Sequence, residues 1–200
     1  MKKNIFKIAL LSVAVMVVSS CSKLPEVELE NAKKAVEELK AVEANRYLSA
    51  EFNALQDSLN AANVAVETEK SRFFLVRNYD AAKNQLVRIV TAAGELKTKN
   101  EEKKAAVRQE AQQNIADVNT LIAENKELLK KAPKGKEGKA ALEAIQSDIN
   151  TIEASVNEVN TLLNNGDYLT ANDKAKALKT KAESIKEELN NAIAKTKKRK

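Results

Sequence analysis

Between residues 49 and 76 the apolar side chains fall at Phe52, Leu55, Leu59, Ala62, Val66, Phe73 and Val76, in steps of three and four that only Glu69 interrupts. The same steps run unbroken through Leu142, Ile145, Ile149, Ile152, Val156, Val159 and Leu163. They recur through Tyr168, Ala171, Ala175, Leu178, Ala182, Ile185, Leu189 and Ala192. Such steps place the side chains on one stripe of an α-helix and, when sustained, make a coiled-coil-like seam. Burying one Leu, Ile or Val contributes roughly 1.5–3 kcal/mol, whereas an isolated helix is marginal in water. Each stripe therefore needs a partner stripe, and the pattern predicts helices packed on helices.

The punctuation of the chain sets the expected boundaries. Pro25 opens a first helix that runs to about Arg46, because proline suits the first turn. Ser49 is the expected N-cap of a second helix ending near Val76. Asn78 is the expected cap of a third, with Asp80 favourable in its first turn. Pro133, Gly135 and Gly138 mark the one clear loop, followed by a fourth helix over about 139–163. Gly166 suits the left-handed position after a helix, and Asp167 caps a fifth that runs to about Ala194.

The third helix has a polar middle. Its seam is Ala82, Leu86, Ile89, Ala93 and Leu96, and it resumes at Val107, Ala111, Ile115, Val118, Ile122 and Leu129. Between them, residues 97–104 (KTKNEEKK) offer no apolar face and no helix breaker. One helix from Tyr79 to Lys131, about 80 Å long at 1.5 Å per residue, is expected, with a solvated bridge at its centre. The alternative is two helices with an exposed joint.

A rough internal repeat favours the single helix. RNYDAAK opens the third helix and GDYLTAN the fifth, each placing a polar residue before a Tyr and an Ala three residues later: Tyr79 with Ala82, Tyr168 with Ala171. The expected fold is all-α: an elongated antiparallel bundle of about five helices. Two three-helix units, 25–100 and 101–194, would share the long central helix, an architecture similar to spectrin-like repeats. That likeness concerns shape and carries no function.

Composition agrees with long helices. Of 200 residues, 4 are Gly, 2 are Pro and 4% are aromatic, while 31% are charged. The formal net charge of +6 is misleading. Lys2, Lys3 and Lys7 lie in the leading segment, and Lys195, Lys197, Lys198, Arg199 and Lys200 crowd the final six residues, so the helical body is slightly acidic. Positive charge is a property of the ends.

The leading segment has the order of a secretory signal: three lysines, an apolar run from Ile8 to Val18 broken only by Ser12, then Ser19, Ser20 and Cys21. The run is too short to cross a bilayer core, which takes about 20 residues. Val18-Ser19-Ser20-Cys21 resembles a bacterial lipobox, with Val18 in the place usually held by Leu. The resemblance covers about the first 22 residues. It implies that Val18, Ser19 and Ser20 are read by the signal peptidase, that residues 1–20 are removed, and that the Cys21 thiol carries a diacylglyceryl group. Residues 21–24 then form a short anchor linker. Ser22, where an inner-membrane retention signal would place Asp, resembles the outer-membrane pattern, implying a periplasm-facing envelope protein held to the lipid bilayer. One acyl chain binds only marginally, and two or three hold.

Residues 25–95 resemble an uncharacterised group of envelope lipoproteins with Ala-rich helical domains, through Pro25, Tyr47 and Tyr79-Asp80-Ala81-Ala82. The group has no agreed activity. The ending AIAKTKKRK resembles that of the small peptidoglycan-linked outer-membrane lipoproteins of enteric bacteria through Arg199 and Lys200. That resemblance implies a covalent link from Lys200 to peptidoglycan. The plainer readings of the tail are a solvated end or an electrostatic contact with anionic headgroups or wall polymers.

Little else suggests chemistry. The chain contains no His, so the usual general base and His-based metal sites are missing. Its single Cys is consumed by the anchor, and its glycines form no phosphate-cradling loop. No enzyme activity, cofactor, metal or nucleic-acid partner is expected. Tyr47, Phe52, Phe73, Phe74 and Tyr79 gather at helix ends. Adjacent Phe73 and Phe74 cannot both face one seam, which makes their turn a candidate partner surface. The expected role is a lipid-anchored scaffold or interaction protein, its partner peptidoglycan or another envelope protein. The alternative is a carrier holding an apolar ligand or peptide in a groove along Ala171, Ala175 and Ala182.

Overall fold

The computed structural model describes residues 23–133 and 138–197, with side chains as far as Lys195. All regular structure among them is helical: α1 (Glu26–Ala41), α2 (Ala44–Tyr47), α3 (Ser49–Ser71), a 3-10 turn (Phe74–Val76), α4 (Asp80–Lys131), α5 (Lys139–Asn164) and α6 (Tyr168–Lys197). The protein is an all-α helical bundle. The chain divides into two compact units after Glu101, and α4 runs through that division as one unbroken helix of 52 residues.

In the first unit α1, α3 and the beginning of α4 bury one core. Val36 and Leu39 come from α1, Phe52, Leu55, Leu59 and Val66 from α3, and Leu86, Ile89 and Leu96 from α4, with Tyr79 just ahead of it. Polar contacts fix the directions. Lys83 pairs with Glu28 at 2.9 Å and Lys97 with Glu38 at 3.7 Å, so α1 and α4 run parallel. Gln85 Nε2 donates to the Ser58 carbonyl at 3.2 Å and the Asn78 N–H to Glu69 at 3.0 Å, so α3 runs antiparallel to α4.

Five expectations need correction here. The first helix stops at Ala41 rather than Arg46; Glu43 adopts φ 63°, in the left-handed region, and a separate turn, α2, follows. Ser49 does not cap α3: it is the first helical residue, and Leu48 holds the capping position with no side-chain bond. The second helix ends at Ser71, so Phe73 and Val76, expected in its seam, lie outside the core. Residues 97–104 are not wholly solvated, because Asn100 is 0% exposed. The seam of α4 continues through Leu96, Asn100 and half-buried Lys104 to Val107, with one extra step of four. Such a step locally unwinds a seam without breaking its helix. Asn78 lies one residue ahead of the capping position, which Tyr79 holds, yet its side chain still serves the helix start: Oδ1 accepts from the Asp80 N–H at 2.9 Å.

In the second unit the rest of α4 packs with α5 and α6. Ile145, Ile149, Ile152 and Val156 of α5 meet Val118 and Ile122 of α4 and Ala182, Ile185 and Leu189 of α6. Gly166, at φ 85°, takes the left-handed position between α5 and α6. There Gly166 N–H bonds to the Leu163 carbonyl at 3.2 Å and Asp167 N–H to the Leu162 carbonyl at 3.0 Å. This is the αL ending that glycine tolerates without a Cβ clash.

Parallel α4 and α6 are held at one constant offset. Glu110 accepts from Asn172, Asp117 from Lys179 and Glu124 from Lys186, each pair 62 residues apart, at 2.9, 2.6 and 2.7 Å. Within that ladder the buried Asn114 Nδ2 donates to Asn172 Oδ1 at 2.9 Å, and Asn125 Nδ2 to the Ala182 carbonyl at 2.8 Å. Polar groups inside an otherwise apolar seam favour one register over its neighbours. Antiparallel α5 is tied on by Lys126–Glu153, Lys181–Asp148 and Lys174–Glu158 pairs.

Candidate functional site

Of the residues singled out from sequence, Val18, Ser19, Ser20, Cys21 and Lys200 lie outside the described residues. Phe73 and Phe74 are described, and their surroundings form the most unusual surface of the first unit. Phe73, Phe74, Leu75 and Val76 are 64, 55, 53 and 62% exposed. Large apolar side chains rarely stand together on a surface without a role. Sequence reasoning placed one of the two phenylalanines outside; all four consecutive residues are there.

The turn is built from Glu69. By the step of three and four, Glu69 belongs to the α3 seam, where a carboxylate has no apolar use. Its side chain is mostly covered and brackets the turn instead: Oε1 meets Arg72 Nη1 at 2.9 Å, and Oε2 accepts the Asn78 backbone N–H at 3.0 Å. Arg77 Nε donates to the Arg72 carbonyl at 2.9 Å, and Val76 N–H to the Phe73 carbonyl at 3.0 Å. The two phenyl rings lie 4.8 Å apart, tilted by 59°. Four hydrogen bonds or ion pairs thus hold both ends of a seven-residue segment, Arg72 to Asn78, and present its apolar middle outward.

This turn stands at the end of the unit where α1 begins. Glu28 in the first turn of α1 meets Lys83 in the first turn of α4. Leu24, just ahead of Pro25, packs against the core of the same unit. The described chain therefore begins at the end of the unit that carries Phe73–Val76.

The small residues of α6 behave differently from a binding groove. Ala171, Ala175 and Ala182 are fully buried, where a short side chain lets two helices approach closely. A groove of about 800 Å³ does exist elsewhere in the second unit, lined by Ala123, Leu129 and Leu142 together with the charged Lys126, Lys139 and Glu143. It sits between the last turns of α4 and the first turns of α5, whose connecting residues 134–137 fall outside the described residues.

Several charged groups on the helix faces are paired. Hydrogen bonds from Lys176 and Asn172 hold the Glu110 carboxyl below its ordinary range. Those from Lys179 and Gln113 do the same to Asp117, and Asp117 in turn raises Lys179. Among the described residues, no group of three or more carboxylate or thiol side chains is placed to hold a metal ion. No helix among them is long and apolar enough to cross a membrane. Comparison with protein-family models, with curated proteins and with solved structures gave no significant match.

Proposed function

We propose that the protein is a lipid-anchored helical protein of the bacterial envelope with a scaffolding or protein-interaction role. The observation that carries the reading is Cys21, the only cysteine of the chain, placed directly after a charged, apolar and small-residue leader. Lipidation gives that thiol a use that neither a disulfide nor a metal site would. The helical units support an interaction role: their seams are filled and their outer faces are charged, which suits surfaces that meet partners. Contact with the cell wall or with another envelope protein belongs to the same reading. The test is Cys21→Ala in the full chain. The variant should remain unprocessed or leave the membrane fraction; unchanged partition into detergent would overturn the reading.

A second reading, a carrier of an apolar ligand or peptide, is favoured by the groove beside Leu129 and Leu142, whose volume lies within the range of small-molecule sites. An environment-sensitive apolar dye bound by the native chain and lost in Leu142→Glu would support it. Equal dye signals in the two proteins would remove it.

A further inference from the structure

We propose that the Phe73–Val76 turn inserts into the lipid bilayer surface beside the anchor, as a second, non-covalent membrane contact of the first unit. The proposal rests on the reading of Cys21 as the lipidated residue. Three residues, Ser22, Lys23 and Leu24, lie between Cys21 and Pro25. An extended chain spans at most about 3.6 Å per residue, so an anchored Cys21 keeps Pro25, the residue ahead of α1, within about 14 Å of the headgroups. The contacts of Glu28 with Lys83 and of Glu69 with Asn78 put the beginning of α1, the end of α3 and the beginning of α4 at one end of the unit. The end nearest the bilayer is thus the end that exposes four apolar side chains in a row.

Geometry and charge both suit a bilayer. The Glu69 bracket holds the turn in place before contact, so little ordering is lost on insertion. Phenylalanine and leucine are side chains that interfacial segments bury at the headgroup–acyl boundary. A lipid anchor and a shallow apolar wedge are individually weak or orientationally loose, and two attachments together fix which end of the unit faces the membrane. The flanking charges balance: Lys23, Lys70, Arg72 and Arg77 stand against Glu26, Glu67, Glu69 and Asp80. Insertion is therefore driven by apolar burial, and neutral lipid suffices.

The chain contains no Trp, so one substitution supplies a single reporter. Phe74→Trp places it in the turn. Asn45→Trp places it on an exposed position at the far end of the unit, beyond the 16 residues of α1. Full-length protein, its acylation state read by intact mass, is reconstituted into phosphatidylcholine vesicles with and without brominated acyl chains. The expected result is a blue-shifted emission from Trp at position 74 that brominated lipid quenches, no such change at position 45, and loss of quenching when Phe73→Ser is added. Equal, unquenched emission at the two positions in acylated protein overturns the proposal and leaves the anchor standing. A blue shift that needs no vesicles and grows with protein concentration assigns the turn to a second copy of the chain, which also overturns it. In non-acylated protein, quenching at position 74 keeps the membrane contact while removing the Cys21 reading, and its absence removes both.

Discussion

Asn100 Nδ2 donates a 2.8 Å hydrogen bond to the backbone carbonyl of Val42, 58 residues earlier in the chain. The two groups need each other. α1 stops at Ala41 and the chain turns through a left-handed Glu43, so the Val42 carbonyl lies outside a regular helix. Buried carbonyls without a donor are costly, and the fully buried Asn100 supplies one from the middle of α4. Asn125 resembles it in place but not in consequence. Its acceptor, the Ala182 carbonyl, is inside α6 and already takes part in the helical ladder. In both asparagines Oδ1 is buried and accepts no hydrogen bond among the described residues.

Replacement by leucine should therefore act in opposite directions at the two positions. Asn100→Leu leaves the Val42 carbonyl without its donor and should destabilise by about 1–3 kcal/mol. Asn125→Leu removes an incompletely bonded amide from an apolar seam and should stabilise by about 1–2 kcal/mol. Thermal unfolding resolves these effects, since each kcal/mol moves Tm by roughly 4–8 °C in a domain of this size. Shifts of the same sign would contradict the distinction between the two acceptors.

Gly94 is an exposed residue inside α4, and an added Cβ would meet nothing within 4 Å. Alanine there restricts the unfolded chain without cost to the folded one. Gly94→Ala should raise stability by about 0.5–1 kcal/mol, read as a later midpoint in urea with an unchanged slope.

Acid should loosen both units. Lys83 holds Glu28 below the ordinary carboxylate range, Lys176 and Asn172 hold Glu110, and Lys179 and Gln113 hold Asp117. A carboxylate with a lowered folded-state pKa contributes stability that is present above its unfolded value and lost as pH falls through the folded one. Tm should be flat from about pH 5 to 8 and fall below about pH 4. Lys179, raised by Asp117, acts in the opposite sense: its contribution is complete below the ordinary lysine range and lost only as pH rises past it. High salt should flatten the acid limb, because these pairs are solvent-accessible. Asp117→Asn should remove part of that limb.

Glu69→Ala should release the turn without unfolding the unit. It removes the partner of Arg72 and the acceptor of the Asn78 N–H. Trypsin should cut faster after Arg72 or Arg77, while the thermal midpoint moves little. Unchanged cleavage would show that the turn does not depend on its bracket.

The seams of α3, α5 and α6 were legible because their buried positions are apolar and evenly stepped: Leu55, Leu59 and Val66, Ile145 to Val159, Ala175 to Leu189. Asn100, Asn114, Asn125 and Asn172 were not, because a search for apolar stripes passes over polar seam members. A signal was present, since Asn100 and Asn125 fall on the three-and-four steps between Leu96 and Leu129. The break at Val42–Glu43 involves no glycine or proline and is stabilised from 58 residues away, so no local rule finds it. Phe73 and Val76 kept the helical spacing after the helix had ended at Ser71, which let the periodicity run on to Val76. Glu69 was the visible warning: a carboxylate at a seam position marks where the stripe stops facing a core. For the candidate site, the adjacent phenylalanines marked the turn that is exposed, but the shared end of α1, α3 and α4 depends on tertiary contacts.

The anchor is tested most directly by the intact mass of the protein extracted from bacterial membranes. A chain that begins at Cys21 and carries the added mass of a diacylglyceryl group is the expected result. A membrane-extracted chain that retains residues 1–20, or one cleaved there with an unmodified Cys21 thiol, would contradict it.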